Sequence, residues 1–75
     1  MQYLVITFST TEAALLMEEY CMKKGIPGRL IPVPPDIHAD CGLAFRAPVS
    51  MEKVFADKED GLPPYDGVFT RDFRF

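Results

Sequence analysis

The fold turns on one stretch: Gly28-Arg29-Leu30-Ile31-Pro32-Val33, then Pro34-Pro35-Asp36-Ile37-His38-Ala39-Asp40, then Cys41-Gly42-Leu43-Ala44-Phe45-Arg46-Ala47. The outer two segments are apolar runs of strand length. The middle one reads as a loop from its prolines and aspartates. Two strands therefore follow one another with no helix between them. Pro32 cannot donate to a ladder, which places its strand at a sheet edge.

Upstream, Tyr3 to Phe8 is a β-branched and aromatic run that reads as a buried strand. Ser9-Thr10-Thr11-Glu12 matches a capping box, with Ser9 as the predicted N-cap. Behind it Ala13, Leu16, Met17, Tyr20 and Cys21 recur at helical spacing and predict one inward stripe. Lys23 and Lys24 suit the negative end of the helix dipole, Gly25 is the predicted C-terminal cap, and Pro27 prevents continuation. Downstream, Pro48 and Ser50 open a weaker helix with Met51, Val54 and Phe55 inward, which Gly61 and Pro63-Pro64 stop. Tyr65 to Phe75 reads as a last strand with Phe69, Phe73 and Phe75 on one side.

The order is β-α-β-β-α-β, the split arrangement of an α+β, ferredoxin-like fold. Two helices should cover one face of a four-stranded antiparallel sheet, in a single domain over residues 1–75. The other face looks apolar and uncovered, which predicts a homodimer or a protein-bound state.

Composition narrows the function. At 48% hydrophobic the 75-residue chain has enough apolar residues to fold, and no apolar run reaches the length of a membrane span. Eight Lys/Arg against eleven Asp/Glu leave a net charge of −3, which argues against a general nucleic-acid binder. The N-terminal run lacks a basic flank and reads as a strand instead of a signal peptide. Two cysteines without C-x-x-C spacing do not make a disulfide scaffold, so both thiols are expected to be free in a reducing cytoplasm.

Few residues are candidates for chemistry. Cys41 sits beside Gly42 where the proline-rich loop meets a strand, and Gly42 would admit a positive φ and close approach of a partner. A thiol near Arg46 and Arg29 would ionise more easily, whereas the carboxylate of Asp40 opposes ionisation. Spacing alone favours Cys41 as a core residue in phase with Leu43 and Phe45. Cys21 lies on the helical stripe and reads as a buried, inert thiol. His38, the only histidine, is either a solvated loop residue or a pH-dependent charge beside Cys41. Its neighbours Asp36, Asp40 and Cys41 lack zinc-ligand spacing, so no metal and no cofactor are expected. Arg29 and Arg46 fall on neighbouring strands, either as solvated side chains or as a joint anion site. With one histidine and no paired acids, an enzyme in its own right is not expected.

Gly28-Arg29-Leu30-Ile31-Pro32-Val33-Pro34 with Cys41-Gly42-Leu43-Ala44-Phe45-Arg46 resembles the selenium/sulfur carrier protein-like family. Val5-Ile6-Thr7-Phe8, Thr10-Thr11-Glu12-Ala13, Met17-Glu18 and Gly25-Ile26-Pro27 extend the likeness, which runs from residue 3 to about residue 68. The chain departs from the family at Pro35-Asp36 and at His38-Ala39-Asp40, where a basic residue and small hydroxyl residues are usual. The resemblance implies a cytoplasmic carrier that holds a persulfide or selenopersulfide on Cys41. Its implied partners are a cysteine desulfurase or selenium-donor protein and an acceptor protein, with no nucleic acid and no membrane. In that role Gly42 would let the partner dock, Arg46 and Arg29 would favour the thiolate, and His38 would tune it. The alternative is a protein-interaction or regulatory module whose Cys41 is structural.

Overall fold

The first helix begins one residue later than its capping signal predicts. In the computed structural model, which describes residues 1–39, 41–57 and 61–73, Thr10 is the N-cap of α1 (Thr11–Lys24). Its backbone is extended and its Oγ1 accepts from the Ala13 N–H at 3.2 Å. A reciprocal box needs Glu or Gln three residues past the cap, and Ala13 stands there, so this cap works in one direction only. Gly25 ends α1 as expected, at φ 72. Its N–H reaches the Met22 carbonyl, and the Ile26 N–H reaches that of Cys21 at 2.8 Å, which satisfies carbonyls the helix leaves unpaired.

The buried seam of α1 is Ala14, Met17 and Cys21, with Ala13 and Tyr20 half-buried beside it. Leu16, expected to face inward, is 47% exposed. It lies roughly 130° round the helix from the centre of that seam, whereas the small Ala14 is fully buried on it.

The strands are β1 (Gln2–Thr7), β2 (Arg29–Pro32), β3 (Leu43–Pro48) and β4 (Gly67–Asp72), in the order β2-β3-β1-β4. All three pairings are antiparallel. The helix α1 carries the chain from β1 past β3 to β2, and α2 (Glu52–Ala56), entered through a 3-10 turn at Val49–Met51, returns it to β4. This is the ferredoxin-like α+β arrangement that the order of elements predicts. Pro32 lies on an edge strand as expected, because β2 pairs only with β3. Gly28, which leads into β2, has φ 154, and a Cβ there would stand 2.5 Å from the Arg46 carbonyl oxygen and from the Phe45 ring. Only glycine fits so close to the neighbouring strand.

Burial divides by strand parity. Leu4, Ile6, Phe8, Phe45 and Ala47 face α1 and α2, where they meet Ala14, Met17, Cys21, Cys41 and Phe55. Phe55 is buried and Met51 and Val54 pack half-buried against the same core, as predicted. The second helix ends at Ala56 rather than at Gly61, and the Tyr65 hydroxyl donates to the Phe55 carbonyl at 2.6 Å. Residues 58–60 of the predicted helix lie outside the described residues.

The opposite face is not open along its whole length. Ile37, in the loop after β2, is 7% exposed and packs with Val5 and Ala44, flanked by Ile31, Val33, Phe69 and Phe73. Asp36 ties the same loop to β4 through Arg71 Nε at 2.6 Å. The chain thus covers part of the surface that was expected to need a partner. Phe69 and Phe73 do share this face, and Phe75 lies outside the described residues. Among the described residues no helix is long and apolar enough to cross a membrane.

Candidate functional site at Cys41

Antiparallel pairing puts the start of β3 beside the end of β1, and β1 runs directly into α1. The Cys41 N–H donates to the Phe8 carbonyl at 3.3 Å, and the Val33 N–H donates to the Gly42 carbonyl at 3.1 Å. These two bonds pin the Cys-Gly pair between the ends of β1 and β2. The thiol consequently meets the first turn of α1. Its Sγ shares a hydrogen bond of 3.7 Å with Thr11 Oγ1, and the Leu43 N–H donates to Sγ at 3.4 Å. Only 4% of Cys41 is exposed.

Both contacts suit a negatively charged sulfur. The Leu43 N–H is a fixed donor, and the Thr11 hydroxyl rotates to donate when the sulfur carries no proton. The N-terminal end of a 14-residue helix adds the positive end of its dipole. Cys21 lies in the core on the helical seam. It is 1% exposed, and burial pushes its thiol up to about 11. Both cysteines are free. Cys21 lies ten residues beyond Thr11, about 15 Å along the helix, too far for a disulfide with Cys41.

The other expected site residues are placed differently. Arg29 and Arg46 lie on neighbouring strands as expected, and the register of β2 and β3 pairs them directly. They do not flank the thiol, however. Phe45 and Ala47 point toward the helices, so Arg46 points to the opposite face, where its guanidinium lies 4.7 Å from the centre of the Tyr3 ring and 5.8 Å from that of Phe73. The expectation that these arginines favour the thiolate is therefore corrected.

Gly42 does not have a positive φ, which corrects the second expectation; a Cβ there would meet nothing within 4 Å. It is exposed, and it leaves bare backbone next to the buried sulfur. His38 is exposed in the loop, and Asp40 lies outside the described residues. Among the described residues no three His, Cys, Asp or Glu side chains come together to hold a metal ion. Thr11 was not anticipated. The order of strands alone places the end of β1 beside the start of β3, so the topology held the signal for it.

Residues 3–60 match the family described as "Putative Se/S carrier protein-like", and the chain belongs to that family. No curated protein and no solved structure matches it.

Proposed function

We propose that the chain is a carrier that holds sulfur or selenium on Cys41 and passes it between partner proteins in the cytoplasm. The observation that carries this reading is the pair of hydrogen bonds at the Cys41 sulfur, one shared with Thr11 at the start of α1 and one donated by the Leu43 N–H, together with family membership. Cys21 has no comparable support, since burial holds its proton in place.

The step is thiol exchange. Cys41 thiolate attacks the terminal sulfur of a persulfide on a donor such as a cysteine desulfurase. A new S–S bond forms at Cys41, the donor's S–S bond breaks, and the donor leaves as a thiolate. An acceptor thiolate then attacks the terminal atom and Cys41 leaves in turn, so there is no net oxidation. A selenium donor reacts in the same way through S–Se bonds. Loading requires local displacement around Cys41, and the open space over Gly42 gives the partner's backbone its approach.

The burial of Cys41 favours a second reading, an interaction module in which this cysteine is structural. Intact mass measurement separates the two. Reduced wild type, Cys21→Ala and Cys41→Ala are each mixed with a cysteine desulfurase and cysteine, and then with a selenium donor. The carrier gains one chalcogen atom in every form except Cys41→Ala and yields it to an acceptor. No adduct with either donor, with native Cys41 silent to alkylation, means a structural cysteine.

A further inference from the structure

We propose that the sheet face opposite Cys41 holds a binding site for a tetrahedral oxyanion, such as phosphate, sulfate or a small monoester of either, between Arg29 and Arg46. The chain carries a net charge of −3, yet three of its four arginines, Arg29, Arg46 and Arg71, lie on this one face. Arg71 is engaged with Asp36. Arg29 and Arg46 stand directly opposite each other on adjacent strands, an arrangement that like charges disfavour and that a shared anion relieves.

A depression of about 230 Å³ opens between them, lined by Tyr3, Pro27, Gly28, Arg29, Arg46 and Pro48. Among the described residues its wall contains no carboxylate. The volume falls below the roughly 300–1,000 Å³ of sites for drug-sized ligands, so a small anion is the appropriate occupant. Arg46 is held at this face by its guanidinium lying over the Tyr3 and Phe73 rings. Arg29 is exposed and makes no ion pair with a described residue, so its fork can close on the anion from the sheet edge. Pro27 and Pro48 fix φ at two points of the wall. The site is independent of Cys41 chemistry.

The test is an NMR titration of the ¹⁵N-labelled protein with inorganic phosphate and then methyl phosphate, against sodium chloride at equal ionic strength. Expected are saturable shifts at the Gly28, Arg29 and Arg46 amides and at both arginine Nε–H groups. Arg29→Gln, at an exposed edge position, keeps the fold and weakens binding by about tenfold or more. Cys41→Ala binds phosphate as wild type does, even if it fails to carry a chalcogen. Shifts that do not saturate, that chloride reproduces, that centre on the start of α1, or that persist unchanged in Arg29→Gln overturn the proposal.

Discussion

Thr11 Oγ1 lies 3.7 Å from Cys41 Sγ, so the first residue of α1 and the residue two before β3 share a hydrogen bond across 30 positions of sequence. Because Thr10 and not Thr11 caps the helix, the hydroxyl at position 11 can be removed without uncapping α1. Thr11→Val in a Cys21→Ala background should therefore leave the fold intact. A hydrogen bond to a charged group is worth about 1.5–3 kcal/mol, so the alkylation rate of Cys41 at neutral pH should fall by about tenfold. Iodoacetamide kinetics check this, and an unchanged rate removes Thr11 from the site.

Cys21 makes a prediction about alkaline stability. Its thiol is raised from 9.0 to about 11 by burial, so the folded state holds this proton more tightly than the unfolded chain does. The stabilisation is fully present below pH 9 and is lost as pH rises toward 11. The change amounts to roughly 2–3 kcal/mol. Urea unfolding of wild type and Cys21→Ala between pH 8 and pH 11 should show a steeper decline in wild type, because the two proteins differ only in this thiol.

Ile37 is the chain's own cover for the second sheet face. Ile37→Ala should cost about 2–3 kcal/mol, toward the low end of buried Ile truncations because the site is near the surface. It should also increase self-association by exposing Val5 and Ala44. Arg71→Gln, which breaks the part-exposed pair with Asp36 together with a bond to the Thr70 carbonyl and the contact with the Phe69 ring, should cost about 1–2 kcal/mol. Unfolding curves and sedimentation velocity read both effects. Equal self-association of Ile37→Ala and wild type contradicts the covering role.

Two glycines should behave oppositely. Gly28→Ala forces a Cβ to within 2.5 Å of backbone and ring atoms at φ 154 and should destabilise by about 2–4 kcal/mol. Gly42→Ala meets nothing within 4 Å and should change stability by less than about 0.5 kcal/mol. Gly42→Leu tests docking: it should slow chalcogen loading from a protein donor while leaving alkylation by a small reagent at its wild-type rate.

The amino-acid sequence by itself determined the order of elements. Strand-length apolar runs, the Gly25 stop and the proline-rich loop at residues 34–40 are local signals, carried by hydrogen-bonding capacity and steric preference within a few residues. It also put Arg29 and Arg46 on neighbouring strands, since consecutive strands tend to be neighbours, while their direct pairing is set by the register.

Tertiary structure decided what no local signal carries. Strand parity put those arginines on the face away from Cys41. The β1–β3 pairing brought Thr11 to the thiol, and the rotation of α1 chose Ala14 over Leu16 for the core. The loop folded Ile37 onto a face that hydrophobic pattern alone marks as uncovered. Each of these outcomes depends on which side of a sheet a side chain leaves, or on contacts between residues far apart in the chain. Packing all the elements together settles them, whereas spacing within one element does not.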